Sequence, residues 1–315
     1  MPILLTLDTA PGEGGQPDQP CRLDFASVDG AELIEFDSEV WINRRGTTGL
    51  DLTPREIVSD RIVGLPGSRL VQVNDLPRDI VTPVMVRPDP GLCRDMRAQL
   101  ARLRTILDYR RVDYAVLEGH ADLVATSCDG AIRRLRVSYV DGAEGNYGDR
   151  GDGWAIFALR WVAHNPYWRG DEWTTPLVGV ASGEPFLSTN PADGWPRKLS
   201  ASVAIGEGMP VPVRGDVPSE PVIDIIGPAT STHITSPSGI DVTVGAIAGG
   251  ETFRLDTRRG VRPTLDGVES WDLLSSAPRF AALPPGDTTI SVVATGATSA
   301  TRARVWGDTL WESPW

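Results

Sequence analysis

The side chains that could carry out chemistry are few and widely separated in this sequence. The histidines are His120, His164 and His233, and the cysteines are Cys21, Cys93 and Cys128. No two histidines have the short spacing of a helical metal site. The odd number of cysteines and their wide spacing predict neither a zinc site nor a disulfide framework. We therefore expect no catalytic residues, no bound cofactor and no metal.

The one acidic cluster is the glycine-rich stretch 141–153, which includes Asp141, Glu144, Asp149 and Asp152. Oxygen ligands at short spacing are what Ca²⁺ prefers, but the spacing does not match the EF-hand loop and its twelfth position holds no glutamate. We interpret the stretch as a solvated hairpin loop, with a calcium site as the alternative.

Composition describes a globular chain without a basic surface. Its 315 residues suffice for two domains, 41% of them are hydrophobic, and the net charge of −12 is spread over both halves. With no basic tail or patch, specific nucleic-acid binding is not expected. No apolar run approaches the roughly 18 residues of a membrane span, so we expect no membrane insertion.

Ten tryptophans are many for a chain of this length. Aromatic rings on a β-sandwich stack on sugars, and Trp195 and Trp271 are the candidates for glycan stacking. Core packing and subunit contact also favour tryptophan and are the competing interpretation.

The first half reads as several strands around one helix. The strand candidates are residues 69–74, 80–86, 114–118, 122–127, 131–140 and 154–163. Asp89 as N-cap and Pro90 at the first helical position predict a helix over about 89–108. Its apolar stripe consists of Leu92, Met96, Leu100, Leu103 and Leu107, and we expect this stripe to cover a sheet. The pattern predicts a split-barrel or β-sandwich-like domain over residues 1–168.

The second half, residues 169–315, has no helical periodicity. Its strand candidates are residues 199–205, 222–226, 232–235, 241–244, 251–256, 289–295 and 300–306, and turn residues separate them at regular intervals. That pattern is typical of an antiparallel sandwich or jelly roll.

The run 154–170 begins as a strand and stops in a polar, aromatic corner. Asn165 and Pro166 would end the strand, and Tyr167 and Trp168 would anchor the junction before the second domain. We interpret these four residues as an inter-domain junction.

Four stretches, taken in order, carry a resemblance to a known family. They are RRGTTGL at 44–50 with LPGS at 65–68; IVTPVMV at 80–86 leading into the helix; AHNPYW at 163–168; and EPVIDIIG at 220–227, GETFRLDT at 250–257, LDG at 265–267 and FAALPPGD at 280–287. In this order and spacing the chain resembles the distal tail proteins of bacteriophages with long, non-contractile tails, often called minor tail proteins in phages of actinobacteria.

The resemblance implies a ring-forming N-terminal domain and a galectin-like C-terminal sandwich, with no catalytic residues. It also implies a virion protein at the distal end of the tail, made in the host cytoplasm. Six copies would form a ring that continues the tail tube, joins it to the tip and adhesion apparatus and forms part of the DNA conduit. Expected partners are further copies of the chain, the tail tube protein, the tip hub protein, the tape measure protein and receptor-binding proteins.

Two other functions remain as alternatives. One is a tail-associated module that binds host surface glycans through its tryptophans. The other is a hydrolase whose carboxylates are dispersed over the second half.

Overall fold

The computed structural model describes residues 22–27, 33–35, 41–43, 46–62, 64, 66–87, 93–111, 118–143, 150–151, 154–179, 203–258, 263–275 and 277–315. Over these residues the chain is mainly β, and its only α-helix is α1 (Cys93–Leu107). The predicted fold class, a mainly β chain with one helix and a β-sandwich in its second half, is confirmed.

The first half contributes ten strands to the described structure. They are β1 (Arg22–Ser27), β2 (Leu33–Glu35), β3 (Trp41–Asn43), β4 (Arg55–Asp60), β5 (Arg69–Asp75), β6 (Arg78–Val86), β7 (Ala121–Thr126), β8 (Ile132–Asp141), β9 (Arg150–Gly151) and β10 (Trp154–Ala163). All their pairings are antiparallel, with β2-β1-β7-β8 on one side and β8-β10-β6-β3 on the other. Strands β4 and β5 pair only with each other in the described structure.

Alternating side chains of these strands build a first hydrophobic core. Its largest fully buried members include Phe25, Leu123, Leu159 and Trp161. Burial alternates along β10, as period-2 strand geometry requires when one face is covered. The predicted bounds of this strand, residues 154–163, match the structure.

Pro83 lies where strand β6 has a paired neighbour on one side only. It faces Ala158 of β10 on one side, while the pairing with β3 on the other side ends at Val84. On that second side the N–H of Val81 donates to the carbonyl of Thr48. The backbone nitrogen of Pro83, two residues later in the strand, points to the same side. The missing N–H of Pro83 therefore interrupts no ladder, as expected for proline at an edge.

Helix α1 packs part of its predicted stripe against this core. Leu103 is buried, and Leu100 and Leu107 are partly buried against the same cluster. Ile106, which lies three positions after Leu103, is also buried and was not in the predicted stripe. The predicted N-cap, Leu92 and the side chain of Met96 lie outside the described part of the chain.

The second half forms a sandwich of two antiparallel sheets. Its strands are β11 (Trp168–Thr174), β12 (Val178–Gly179), β13 (Val203–Val213), β14 (Val222–Ile226), β15 (Ser231–Thr235), β16 (Asp241–Val244), β17 (Thr252–Asp256), β18 (Thr264–Leu265), β19 (Val268–Glu269), β20 (Gly286–Thr295) and β21 (Arg302–Trp311). One sheet runs β19-β18-β17-β14-β21-β11, and the other runs β13-β20-β15-β16. A second core lies between them and includes Ile223, Phe253, Ile290 and Val305.

Cys128 is disulfide-bonded. The number and spacing of the cysteines did not predict this bond.

Candidate functional site at the junction of the two cores

Two neighbouring strands run from one hydrophobic core into the other. Strand β11 begins with Trp168 in the first core and carries Trp173 in the second. Strand β21 carries Val305 in the second core, and its last residue, Trp311, pairs with Trp168 and packs against the first core. The two cores are therefore joined by a pair of hydrogen-bonded strands, with a register shift between Arg169 and Glu172.

The buried guanidinium of Arg78 lies at the centre of the junction, with 1% of the residue exposed. Its Nε donates to the carbonyl of Pro166 (3.0 Å), Nη1 to the carbonyls of Gly49 (3.2 Å), Leu50 and Asp51, and Nη2 to Thr53 Oγ1 (3.0 Å) and the carbonyl of Glu312 (2.9 Å). One side chain thus connects three segments that are distant in sequence. Burial lowers the pKa of Arg78, and the nearby carboxylates of Asp51 and Glu312 oppose that effect. An arginine nevertheless stays protonated, so the charge is stabilised here by backbone carbonyl dipoles.

The loop that contacts Arg78 is held along strand β6. Thr48 and Val81 exchange backbone hydrogen bonds of 3.1 and 3.3 Å. Gly49 has a φ of +83°, and a Cβ at this position would collide with the carbonyl of Asp79. The local sequence therefore requires glycine so that the carbonyls of the loop can turn towards Arg78.

The structure places all four predicted junction residues at this point. Asn165 accepts the N–H of Tyr167 through Oδ1 (3.3 Å), and the carbonyl of Pro166 accepts from Arg78. The Tyr167 hydroxyl donates to Asp75, and burial, followed by this hydrogen bond, raises the pKa of Tyr167. Trp168 is fully buried and donates Nε1 to the carbonyl of Leu50 (3.1 Å).

The boundary expected between residues 168 and 169 falls inside β11. The division into domains 1–168 and 169–315, and the role of the four residues as a junction between them, remain proposals.

The segment that follows β21 closes the junction from the other side. Arg133 stacks over the ring of Trp311 at 3.9 Å and donates to the carbonyl of Ser313 (2.8 Å). The backbone N–H of Glu312 donates to Asp216 (2.8 Å). Residues 311–313 are therefore fixed by polar contacts from both halves.

The root of the β4–β5 hairpin is attached to the same cluster. Arg55 pairs with Asp75 across the hairpin (3.0 Å) and with Glu312. The hydrogen bond to Asp75, followed by the charge of Glu312, raises the pKa of Arg55. The N–H of Leu76 also donates to the carbonyl of Pro54 (2.8 Å). The junction thus sets the direction in which this hairpin leaves the body of the protein.

A second polar network covers the outer face of β14, β17 and β21. The buried carboxylate of Asp224 accepts from Arg254 Nε (2.7 Å), Arg304 Nη2 (2.7 Å) and Trp306 Nε1 (3.1 Å). Burial alone would raise the pKa of Asp224, but these hydrogen bonds outweigh it and the pKa is lowered. The Arg254 guanidinium also lies 5.7 Å from the centre of the Trp306 ring. The network links three strands, and the donors to the buried carboxylate of Asp224 come from within the protein.

The two candidate glycan-stacking residues have different outcomes. Trp195 lies outside the described residues. Trp271 begins a short 3-10 helix (Trp271–Leu273), is 49% exposed, and donates Nε1 to Glu269 Oε1 (2.8 Å). One aromatic surface with an adjacent carboxylate is therefore available to a ligand.

The remaining candidate chemistry is dispersed. His120 is buried and its Nε2 accepts the N–H of Tyr139 (3.3 Å), whereas His233 pairs with Asp241 at the surface. Burial lowers the pKa of His120, opposed by the charge of Asp108. Within the described ranges no group of three or more potential ligands could hold a metal ion. Most of the acidic stretch 144–153 lies outside those ranges. No helix in the described part is long and apolar enough to span a membrane.

Comparison with known proteins identifies a fold and no sequence family. No family model matches the chain, and no curated protein matches it. The crystal structure of the SPP1 Dit protein, presented as a paradigm of the hub adsorption apparatus of phages that infect Gram-positive bacteria, superposes with a TM-score of 0.58. The match covers 90% of this chain and 98% of that one at 15% identity. The two chains share a fold.

Two further solved structures match more weakly. The phage p2 baseplate in its activated conformation, solved with Sr and with Ca, matches with a TM-score of 0.47 in each case. Identities are 8% and 9%, and the matches cover 91% of this chain and 98% of those chains.

Proposed function

We propose that this protein is a structural component of a phage virion, the distal tail ring of a siphovirus-like phage, here one that infects actinobacteria. The observation that carries the proposal is the fold shared with the SPP1 Dit protein, because the match extends over 90% of the chain and so includes both cores. The four sequence stretches that resemble distal tail proteins support it independently.

In this role the protein would act by positioning the other components of the tail. Six copies of the N-terminal domain, residues 1–168, would form a ring that continues the tail tube and the DNA conduit. The C-terminal galectin-like domain, residues 169–315, would project outward towards the tip and its adhesins. The tube, hub and tape measure proteins are the proposed neighbours, with receptor-binding proteins attached at the periphery. Synthesis would take place in the host cytoplasm.

The junction suits a part that transmits force between its two halves. A ladder of strands and a buried arginine with six acceptors resist bending better than a single flexible linker. Residues 165–168 would then serve as the inter-domain joint.

The test is the native mass of the purified full-length protein, combined with negative-stain images. We expect a species of six copies and a ring with a central opening. A stable monomer at high protein concentration would contradict the proposal.

A second function, glycan binding, is favoured by the half-exposed ring of Trp271. Binding on a glycan array that Trp271→Ala abolishes would support it. Phe280→Ala is the matched control, because Phe280 is also an exposed aromatic residue of the second half. Equal glycan binding by both variants would show that Trp271 is not part of the binding site.

A further inference from the structure

The β4–β5 hairpin is the least covered part of the described structure. All six residues of β4 and six of the seven in β5 are exposed. The two strands pair with each other and with no other described strand. An isolated two-stranded sheet is marginally stable in water, so a hairpin of this kind gains stability when another surface covers it.

One face of the hairpin carries three of the four apolar side chains in its cross-strand pairs. Cross-strand pairs are Arg55 with Asp75, Glu56 with Asn74, Ile57 with Val73, Val58 with Gln72, Ser59 with Leu70, and Asp60 with Arg69. Ile57 and Val73 share one face with the Arg55–Asp75 pair, and the register shift between Val58 and Ser59 brings Leu70, opposite Ser59, to that same face. The other face carries Glu56, Val58 and Asp60 with their partners Asn74, Gln72 and Arg69. The three apolar residues are 68%, 47% and 59% exposed. A face of this composition is what a strand presents to a partner.

The amount of apolar surface is that of an interface. Exposed aliphatic residues concentrate between residues 52 and 76: Leu52, Ile57, Val58, Ile62, Leu70, Val71, Val73 and Leu76. At roughly 100 Å² each they expose on the order of 800 Å² over both faces of the hairpin and its flanks, close to what one partner contributes to a standard protein–protein interface, so a partner that covers them must contact both faces.

The root of the hairpin is fixed although its length is uncovered. Arg55 and Asp75, the first cross-strand pair, are held by Glu312 and Tyr167 at the junction. A hairpin held in one direction before it binds loses less conformational entropy on docking.

The charge of the hairpin indicates which partner covers it. Between residues 52 and 76 three arginines (55, 61 and 69) balance three acidic residues (56, 60 and 75), whereas the whole chain carries 30 basic and 42 acidic side chains. Two copies of a chain with a net charge of −12 repel each other over most of their surface. The hairpin is a neutral, apolar region where they can meet without local repulsion.

We propose that the β4–β5 hairpin is the arm by which one copy of this chain docks on a second copy. Ile57, Leu70 and Val73 form the buried centre of that contact. An arm that docks on a different surface of the next copy makes a head-to-tail contact, which closes into a ring when the rotation between copies allows it. This inference rests on the proposed ring-forming function and names the surface responsible for it.

The test compares self-association of the full-length protein and two triple variants by sedimentation velocity over a concentration series. The first variant is Ile57→Ser, Leu70→Ser and Val73→Ser. The control variant, Leu177→Ser, Val268→Ser and Phe280→Ser, removes apolar side chains that are 54%, 69% and 42% exposed, all from the second half. We expect the hairpin variant to self-associate at least about 100-fold more weakly, and the control to match the unmodified protein. Unchanged melting temperatures and circular dichroism would show that both variants are folded.

The outcomes separate the two proposals. If the unmodified protein assembles and the hairpin variant assembles equally well, the hairpin inference is wrong and the ring proposal stands. If the control variant dissociates as much as the hairpin variant, the effect is not specific to the hairpin and the inference fails. A monomeric unmodified protein would overturn both the ring and the hairpin inference. As a second readout, hydrogen exchange of residues 55–75 should slow on assembly.

Discussion

Replacing Arg78 by methionine tests whether the buried guanidinium holds the junction together. Methionine has a similar length and fills much of the same space, but it donates no hydrogen bonds. The substitution leaves six acceptors without their donor, on the loop 49–53, the corner at Pro166 and the segment at Glu312.

The magnitude follows from which acceptors water can reach. The bonds to the Pro166 carbonyl and to Thr53 Oγ1 are buried, whereas those to the other four carbonyls are partly exposed. Each buried acceptor left unpaired costs about 1–3 kcal/mol, and water replaces most of the rest. We expect Arg78→Met to lower the free energy of unfolding by about 4 kcal/mol, a large share of the roughly 5–15 kcal/mol of a typical protein.

Urea unfolding followed by tryptophan fluorescence measures this loss, because Trp168 and Trp311 lie at the junction. The matched control is Arg160→Met on β10, whose arginine is exposed and lies 3.6 Å from Asp79 and 3.7 Å from Asp141. Surface pairs of this kind contribute about 0–1 kcal/mol. Arg78→Lys should fall between the two, since one ammonium cannot reach all six acceptors. If Arg78→Met is no more harmful than the control, the buried-acceptor argument is wrong.

Three further predictions concern other buried groups. Burial lowers the pKa of His120, so the folded protein favours the neutral imidazole. The contribution of His120 to the free energy of unfolding is therefore fully present above the unfolded pKa of about 6.5. It decreases as the pH falls below that value. The free energy of unfolding should therefore drop by up to about 1.4 kcal/mol per pH unit below that value, and His120→Gln should lack this drop; equal pH profiles would contradict the assignment. The pKa of Asp224 is lowered in the fold, so its contribution is present above about 3.9 and is lost as the pH falls through the folded pKa. Asp224→Asn should cost about 2 kcal/mol at neutral pH and less as the pH falls through the folded pKa, whereas a difference that does not change with pH would refute the charge-based account. Gly49→Ala should destabilise by at least about 2 kcal/mol, measured as a urea midpoint, because the loop must move away from Asp79; Gly67→Ala is the control, since its φ is also positive but no atom lies near its missing side chain. Equal losses in the two glycine variants would show that backbone strain, not the close approach at Gly49, sets the cost.

Several strands could be predicted from the sequence because their pattern is local. The bounds of β10, β14 and β16 match residues 154–163, 222–226 and 241–244, where apolar residues recur at strand spacing between turn residues. Strand β11 could not be predicted in this way. Its central residues, Arg169 to Glu172, are polar, and it is a strand because β21, more than 130 residues later, pairs with it. For the same reason β21 continues five residues beyond the predicted end at residue 306.

The candidate site was predicted only in part. The proline and aromatic residues of the corner 165–168 are conspicuous in sequence, and the structure places them at the junction. Arg78 and Glu312 gave no signal, because an arginine before an apolar strand is normally solvated and the two residues are 234 positions apart. Only one strand of the exposed hairpin, residues 69–74, was predicted from the sequence. The alternation of side chains along a strand does not distinguish a buried face from an exposed one.

The contact between Arg78 and Glu312 also constrains the order in which the molecule is made. A ribosome adding about 5–20 residues per second needs roughly 10–50 s to travel the 234 positions between them. Until Glu312 has been made, Arg78 lacks one of its six acceptors, and Arg55 at the hairpin root lacks one of its two carboxylates. The hairpin is therefore fixed in direction only after almost the whole described chain has been synthesised.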